Sequence, residues 1–470
     1  MMNTNWNANT HTEEERRRTV GVIGLTVTGL AWAAVQAERG LTVLATDPDE
    51  DMAEGIQEEM SLPGVEPGLK EALEAQIKSG GLTILTQPRR IFRECRLITL
   101  CGMTPAGEDG RPSLRFIESV VRQAANQCPE ATVLAVKTTL PPGGIRALQR
   151  VADAAAADRE DAVPVHVIAL PELYDDGAMM KAMRRDAPIV VGADGRYQPT
   201  EAVLDVMDPD GSRRIYCTPE DAEAAAVSDA ARTAFEQVLA NYWQDVAADC
   251  GASGQKVLEI LAKGESGRRR AGLGLSAGVG GRRLSQELAN LSAFEKQEER
   301  SLIDAFQAAN TAHFEKMKAW LLPPVQKITA HGGKIAVLGL SNVPGTDDLR
   351  ETPAVELLKA MAAPFEDRPI ESGKPFALYL PWGMDQAKWR LFRTRDAFTF
   401  CGSCAEATRD AELVVVLGAW PGMGRMLTPA LAKRMAGRQI VDVTGSLDKK
   451  KIAALGLKPV GLFEKLEDLN

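Results

Sequence analysis

Short apolar runs alternate with helical stretches through the first half of the chain. Residues 20–23 form an apolar run that leads through a turn into a stretch of small and apolar residues ending at Arg39 and Gly40, and a second apolar run, 41–45, stops before Asp47. This order predicts a βαβ unit. Further apolar runs predict strands at residues 82–85, 97–101, 133–137 and 165–169. The pattern indicates a parallel, doubly wound sheet whose ligands lie at the carboxyl ends of its strands.

Two long helical patterns follow, at residues 222–248 and 285–321, with no strand-like alternation of comparable length. A second βαβ pattern begins at residues 334–340, and later strands are predicted at 376–380, 413–417 and 439–443. The chain is therefore predicted to be an α/β protein, with two Rossmann-like doubly wound domains joined by a central helical region.

The turn after the first strand carries most of the dinucleotide-binding fingerprint G-x-G-x-x-G. Gly24 and Gly29 fill its first and third positions, but Thr26 stands at the second, where a β-branched side chain faces the place of the phosphates. Asp47 ends the second strand, where a carboxylate accepts the ribose hydroxyls and repels the 2′-phosphate of NADP. These residues favour NAD over NADP, and Thr26 lowers the expected affinity for either. The alternative is a Rossmann fold kept only as a scaffold.

Length, charge and cysteine usage limit the possible classes of protein. A chain of 470 residues predicts two or three domains, and a net charge of −9 argues against a general nucleic-acid binder, which needs a basic face. No apolar run reaches transmembrane length, and residues 1–18 lack a hydrophobic signal core and are predicted to be a disordered tail. Seven scattered cysteines, an odd number, suggest reduced thiols and a cytoplasmic location.

A series of short motifs runs through the chain from residue 19 almost to its end. They are Glu66-Pro67-Gly68-Leu69, Thr104-Pro105, Thr138-Thr139-Leu140-Pro141-Pro142-Gly143, Pro171-Glu172-Leu173, Gly278-Val279-Gly280-Gly281, Pro344-Gly345-Thr346-Asp347-Asp348-Leu349-Arg350-Glu351 and Trp420-Pro421. Several are weak alone, but in this order they resemble the UDP-glucose/GDP-mannose dehydrogenase family. Its members oxidise the C6 alcohol of a nucleotide-sugar to a carboxylate with two NAD.

The resemblance implies a division of the chain after the tail at 1–18. It implies an NAD-binding domain at residues 19–218, a central helical dimerisation region with a long connecting helix at 219–332, and a C-terminal Rossmann-like domain of the nucleotide-sugar-binding type at 333–470. A homodimer and a small-molecule substrate, a nucleotide-sugar or another anionic ligand, are implied as partners.

The loop that carries the catalytic cysteine in the family has different residues at several positions in this chain. In the family, this cysteine attacks an aldehyde intermediate, and the resulting thiohemiacetal is oxidised to a thioester. Arg283 occupies the cysteine position, Glu287 stands for the aspartate that closes the motif, and Gln286 stands for its lysine. Because a guanidinium stays protonated, Arg283 cannot be the nucleophile, and the second oxidation by the family route is excluded.

The family's catalytic lysine and asparagine, four residues apart on a helix, are also replaced. Alignment on Ala234-Phe235 places Asp229 at the lysine position and Thr233 at the asparagine position. A carboxylate thus replaces the cation while an arginine replaces the cysteine. We hypothesise an ion pair between Arg283 and Asp229, since either charge buried alone would be costly.

Other family positions are partly kept. Thr139 and Glu172 match residues of the family's water-binding and acid/base set, and Asp176 stands for a second glutamate; capping of strand ends is an equally good interpretation of the first two. The resemblance also implies that Thr104 and Thr139 lie near the cofactor. In the nucleotide-sugar site, Val343 replaces a lysine and Thr444 replaces an arginine, which weakens the case for the usual ligand.

Three further sequence signals are weaker. Cys401 and Cys404 have redox or metal spacing, but ordinary loop cysteines are the simpler interpretation. The arginines at 268–270 and 282–283 could receive a phosphate or carboxylate, or could form a solvated face near the dimer interface. The four histidines show no metal spacing, so no metal site is predicted.

Two functions of different classes remain open at the level of sequence. One is an NAD-linked oxidoreductase with an altered substrate or a single hydride transfer. The other is a catalytically inactive homologue, a pseudoenzyme, that binds a ligand or a partner protein. Four-electron oxidation of UDP-glucose ranks behind both.

Overall fold

The computed structural model describes most of the chain. The described residues are 18–102, 113–141, 143–157, 159–161, 163–174, 177–185, 188–194, 201–263, 276–280, 302–341, 343–366 and 373–466. Several residues singled out in the sequence lie outside these ranges: Thr104, Asp176, Arg283, Gln286, Glu287 and the arginines at 268–270 and 282.

The chain divides into two compact units, Met1–Asp229 and Ala230–Asn470. The first unit contains an eight-stranded sheet with strand order β3-β2-β1-β4-β5-β6-β7-β8. The strands are β1 (Thr19–Ile23), β2 (Thr42–Thr46), β3 (Leu82–Leu85), β4 (Leu97–Leu100), β5 (Thr132–Val136), β6 (Val165–Ala169), β7 (Ile189–Gly192) and β8 (Arg214–Cys217). Strands β1 to β6 are parallel, whereas β7 pairs antiparallel to β6.

Helices separate these strands and cover both faces of the sheet. They are α1 (Val27–Glu38), α2 (Glu50–Glu59), α3 (Leu69–Ser79), α4 (Arg89–Glu94), α5 (Arg115–Gln127), α6 (Gly144–Ala157), α7 (Met179–Arg184) and α8 (Glu201–Leu204). Val20 and Val22 of β1 pack into the core on one face, and Ile23 packs into the core on the other. Because both faces are covered, the central strands are apolar along their whole length.

The second unit contains a six-stranded parallel sheet with strand order β11-β10-β9-β12-β13-β14. The strands are β9 (Lys334–Leu338), β10 (Phe376–Tyr379), β11 (Phe398–Phe400), β12 (Ala411–Val416), β13 (Gln439–Asp442) and β14 (Lys458–Gly461). Two buried clusters, one on each face, form its core. The prediction of two Rossmann-like doubly wound sheets is confirmed.

Long helices precede the second sheet, and short ones connect its strands. They are α9 (Pro219–Asp249), within which the division between the units falls, α10 (Gly254–Lys263), α11 (Leu302–Ala330), α12 (Pro353–Ala362), α13 (Met384–Arg390), α14 (Cys404–Thr408), α15 (Met423–Met426), α16 (Pro429–Arg434) and α17 (Lys449–Ala454).

The connecting helix continues past its predicted end. Its pattern predicts an end at Leu321, but α11 runs through Pro323 and Pro324 to Ala330. Each proline removes a backbone N–H and one hydrogen bond of the helix. Burial of Leu321, Val325 and Ile328 in the core of the second unit compensates, so tertiary packing overrides the local signal.

Candidate functional site

The turn between β1 and α1 admits only glycine at two positions. Gly24 has a φ of 108°, and a Cβ there would lie 2.7 Å from the carbonyl carbon of Cys101. A Cβ on Gly29 would lie 1.9 Å from the carbonyl oxygen of Gly24. The first turn of α1 therefore rests directly on the preceding turn, as the first and third glycines of a dinucleotide-binding fingerprint require.

Thr26 turns its hydroxyl into this turn. Its Oγ1 accepts a hydrogen bond from the Gly29 N–H at 3.2 Å and donates one to the Cys101 carbonyl at 2.9 Å, so Thr26 caps the N-terminus of α1. The N–H groups of Val27 and Thr28 remain as the first helical donors without a partner inside the helix. Such donors, at the positive end of the helix dipole, suit an anionic group.

Asp47 lies beside the same turn. Its Oδ2 accepts a hydrogen bond from the Leu25 N–H at 2.7 Å, and its Oδ1 accepts one from the Asp49 N–H at 3.0 Å. The carboxylate is half-buried and fixed at the carboxyl edge of β2. The structure thus brings together Gly24, Thr26, Gly29 and Asp47, the four predicted cofactor residues of the βαβ unit.

A buried ion pair links α1 to the ends of two further strands. Glu172, which follows β6, accepts a hydrogen bond from the Thr28 hydroxyl at 3.3 Å. Its other carboxylate oxygen lies 3.7 Å from the Nζ of Lys137, which directly follows β5. The Lys137 ammonium also lies 4.4 Å from the ring centroid of Trp32 and 5.5 Å from that of Tyr174. The pair places a charged acid/base candidate at the amino end of α1.

The sequence interpretation did not identify Lys137. The available signal was a single cation directly after the uninterrupted apolar run 133–136, at the edge of the sheet where ligands bind. The neighbouring Cys101 is not a replacement nucleophile, because burial raises the pKa of its thiol far above the ordinary value and outweighs the opposing effect of Lys137.

The segment that carries Thr139 forms a tight turn before α6. The Thr138 hydroxyl donates to the Gly102 carbonyl at 2.6 Å, and the Gly144 N–H donates to the Pro141 carbonyl at 2.8 Å. Thr139 is half-buried within this turn. A second glutamate that the sequence interpretation missed, Glu223 of α9, receives two backbone N–H groups at the end of the turn.

In the second unit, the described part of the glycine-rich loop is held by side chains of α9 and α11. Asn310 accepts from the Val279 N–H at 2.7 Å and donates to the Val279 carbonyl at 2.9 Å. In the His313 ring, Nδ1 lies 2.9 Å from the Oδ1 of Asp245, and Nε2 lies 3.1 Å from the carbonyl oxygen of Ser276. Residues 276–280, which lead toward Arg283, therefore have a fixed backbone.

The predicted catalytic positions at the centre of the family's site are only partly described. Asp229 and Thr233 both lie in α9, one turn apart. Arg283 and Glu287 lie outside the described residues, as does Thr104. The hypothesis of an ion pair between Arg283 and Asp229 therefore stays a prediction.

The two altered nucleotide-sugar positions lie in turns closed by their own hydrogen bonds. The Val343 carbonyl accepts from the hydroxyls of Ser341 and Thr346, each at 3.0 Å. The Thr444 hydroxyl lies 2.8 Å from a carboxylate oxygen of Asp442, the last residue of β13, and burial raises the pKa of Asp442. Neither side chain supplies a positive charge at the carboxyl edge of the second sheet.

The two cysteines with C-x-x-C spacing are buried. Burial raises the pKa of both thiols, to about 11 for Cys404, so both stay protonated near neutral pH. This supports their interpretation as ordinary packing residues.

Within the described ranges, no cluster of three His, Cys, Asp or Glu side chains could hold a metal ion. No described helix combines the length and the apolarity needed to cross a bilayer.

Comparisons with known proteins cover both units. The NAD-binding domain of the UDP-glucose/GDP-mannose dehydrogenase family matches residues 18–206, and the UDP-binding domain of the same family matches residues 336–449. The UDP-glucose 6-dehydrogenase of Rhizobium meliloti (strain 1021) is 24% identical over 451 residues, which cover 93% of this chain and 98% of that protein. The GDP-mannose 6-dehydrogenase of Azotobacter vinelandii is 26% identical over 358 residues, covering 73% and 78%.

A solved structure agrees with the fold. The UDP-glucose dehydrogenase from the hyperthermophilic archaeon Pyrobaculum islandicum has a TM-score of 0.73 at 24% identity, over 91% of this chain and 94% of that one. The matched NAD-binding domain supports the use of NAD, the cofactor expected from Asp47. The matched domains, in their order along the chain, confirm the resemblance found in the motifs: this protein belongs to the UDP-glucose/GDP-mannose dehydrogenase family.

Proposed function

We propose that this protein is an NAD-linked oxidoreductase that acts on a CH–OH group of a nucleotide-sugar or a related anionic substrate. The observation that carries the proposal is the turn between β1 and α1. There Gly24 and Gly29 meet the steric needs of the fingerprint, and Asp47 is fixed beside the turn. The Thr26 hydroxyl caps α1 by accepting the Gly29 N–H. The first two N–H groups of α1 can then donate hydrogen bonds to a pyrophosphate.

The side chains at the strand ends supply the acid/base chemistry. NAD held at this turn would supply the hydride acceptor for the carbon that bears the hydroxyl. Glu172, whose carboxylate lies 3.7 Å from the Lys137 ammonium, takes the hydroxyl proton directly or through one water. Thr139, in the turn before α6, orients the hydroxyl or the water. The product of this single step is a carbonyl compound.

The reaction stops after one hydride transfer. A thioester route needs a thiolate nucleophile, and Arg283 stands at the cysteine position. Asp229 at the lysine position removes the cation that stabilises an oxyanion. The substrate also differs from the family's usual one, because Val343 and Thr444 supply no charge to a diphosphate.

The protein is proposed to act as a homodimer through the central helical region at 219–332, between domains at 19–218 and 333–470. Four large apolar side chains of α9 and α10 are exposed by 44% to 61%: Tyr242, Val246, Ile260 and Leu261. Large apolar side chains exposed to this extent are expected where another protein surface covers them.

Titration calorimetry of the full chain with NAD and NADH tests the proposal. Saturable binding is expected, with a Kd in the range from about 1 μM to about 1 mM. Nucleotide-sugars are then offered with NAD, and absorbance of NADH is compared with the product formed; one NADH per product is expected rather than two. No heat and no thermal stabilisation at millimolar cofactor would contradict the proposal.

The NAD preference gives a sharper prediction. Replacing Asp47 with asparagine is expected to shift the NADP-to-NAD affinity ratio toward NADP by about tenfold, because the amide still accepts the Leu25 N–H but no longer repels a 2′-phosphate. Asp49→Asn is the matched control, since that carboxylate caps α2 through the Met52 N–H instead. An unchanged ratio in Asp47→Asn would remove Asp47 from the ribose site.

A non-catalytic homologue is the second candidate. It is favoured by the replacements at five separate family positions, which are Thr26, Asp229, Arg283, Val343 and Thr444. In that case the cofactor titration gives no binding, and the search turns to protein partners.

A further inference from the structure

Glu223 occupies the amino end of α6 from a different helix. Its Oε2 accepts a hydrogen bond from the Gly143 N–H at 2.6 Å, and its Oε1 accepts one from the Ile145 N–H at 2.7 Å. Gly143 has a φ of 88°, a backbone conformation that residues with a side chain rarely adopt. Glu223 is 3% exposed. Its carboxylate therefore binds at the N-terminus of α6, a position where helices favour a negative charge.

These two bonds fix the end of the turn that carries Thr139. The other end is fixed where the Thr138 hydroxyl donates to the Gly102 carbonyl. Among the described side chains, that of Glu223 is the one that accepts backbone N–H groups at this end of the turn. The position of Thr139 thus depends on Glu223 keeping two acceptor oxygens.

We propose that Glu223 is a positioning residue for the cofactor: its ionised carboxylate holds Gly143 and the start of α6, which follow Thr139, in the form that binds NAD, and its protonation loosens this segment and weakens binding. This inference rests on the proposed function and on the family resemblance, which implies that Thr139 lies near the cofactor. Protonation removes the charge from the carboxylate and turns one oxygen into a hydroxyl, which accepts a backbone N–H more weakly than a carboxylate oxygen does.

The surroundings of Glu223 bring its titration toward neutral pH. Burial raises the pKa of Glu223, and the two backbone N–H groups only partly oppose this effect. Other charges nearby are Glu220 on the same helix, which raises the pKa, and Arg146 of α6, which lowers it. Arg146 is itself paired with Glu220 and with Asp194, which follows β7. The binding form is present above the raised pKa and is lost as the pH falls through it.

The uncharged variant Glu223→Gln is expected to fold. Folding raises the pKa of Glu223. The Glu223 side chain therefore contributes most to the free energy of unfolding at low pH, and this contribution decreases as the pH rises through the raised pKa. Removing the charge relieves the cost of burying it. The Tm of Glu223→Gln near pH 8 is therefore expected to stay within about 3 °C of wild type.

NADH fluorescence titration of the full chain tests the inference. Wild-type affinity is expected to fall about tenfold as the pH is lowered from 8 through the raised pKa of Glu223, while Glu223→Gln is about tenfold weaker than wild type already at pH 8 and changes little with pH. Glu220→Gln is the matched control: this carboxylate lies one turn earlier on α9, is exposed, and bonds Arg146 rather than the turn. It is expected to keep the wild-type affinity at pH 8, while the decrease in affinity moves to lower pH because Glu220 no longer raises the pKa of Glu223.

Hydrogen exchange gives a second measurement that needs no ligand. At pH 8, the amides of Gly143 and Ile145 are expected to exchange faster in Glu223→Gln than in wild type or Glu220→Gln. Wild-type affinity in Glu223→Gln, or an unchanged pH dependence, would overturn the inference alone. Absence of NADH binding by wild type at every pH would overturn the proposed function and the cofactor role of Glu223 together.

Discussion

Gly29→Ala is expected to abolish NADH binding and to destabilise the first unit by about 3 kcal/mol or more. A methyl group on Gly29 would lie 1.9 Å from the Gly24 carbonyl oxygen and 3.0 Å from the Cys101 side chain. The oxygen belongs to backbone that cannot rotate away, so α1 must move off the turn after β1. That movement would break the capping bond from Thr26 and displace the first helical N–H groups.

Gly55→Ala is the matched control for this substitution. Gly55 lies inside α2 of the same unit, and its added methyl would be in ordinary contact, 3.5 Å from Ser61. Alanine in a helix interior is expected to raise stability there by about 0.5–1 kcal/mol. Urea unfolding followed by far-UV circular dichroism, together with NADH titration, distinguishes the two variants. NADH affinity in Gly29→Ala equal to wild type would mean that the turn does not hold the cofactor.

Glu172→Gln is expected to destabilise the first unit by about 3–5 kcal/mol, because it leaves the buried Lys137 ammonium without its charge partner. The Lys137 side chain is only 3% exposed, whereas that of Glu172 is 16% exposed. Lys137→Met should therefore cost less, since the remaining carboxylate reaches water and still accepts the Thr28 hydroxyl. Urea unfolding of both variants and of the double variant measures the difference.

The double variant Lys137→Met with Glu172→Gln decides whether charge is the cause. It is expected to be more stable than Glu172→Gln alone, because no unpaired charge stays buried between Trp32 and Tyr174. Glu38→Gln, which breaks the exposed pair between Glu38 and Arg184, should cost less than about 1 kcal/mol. Equal losses in the two single variants would indicate that packing, rather than the ion pair, accounts for the effect.

Most strands of both sheets were predictable from the sequence, including the edge strand β3, but four short strands were not. The central strands of both sheets are continuous apolar runs, and the predicted ranges agree with them to within two residues. Strand β8 lies at the edge of the first sheet, where Ile215 and Tyr216 are exposed by 52% and 43%, and its four residues form no apolar run. Strands β7, β11 and β14 are also three or four residues long and escaped prediction.

The site could be predicted only where its residues are close together in the chain. Gly24, Gly29 and Asp47 belong to one βαβ unit, and local spacing is enough to place them. Glu223 and Gly143 are separated by 80 residues, and only the packing of α9 against the turn brings them together. Lys137 and Glu172 meet because neighbouring parallel strands end at one edge of the sheet. A sequence pattern indicates that edge but not which side chains pair there.

The carboxylate of Asp47 is already immobile before any nucleotide arrives. Its two oxygens are oriented by the N–H groups of Leu25 and Asp49, and each oxygen keeps a lone pair that a hydroxyl can use. Under the proposed function, an incoming adenosine ribose would not have to freeze the rotamer of this side chain, a step that costs about 0.5–1.5 kcal/mol per immobilised group in flexible sites. The loss of side-chain entropy at Asp47 belongs to folding rather than to binding.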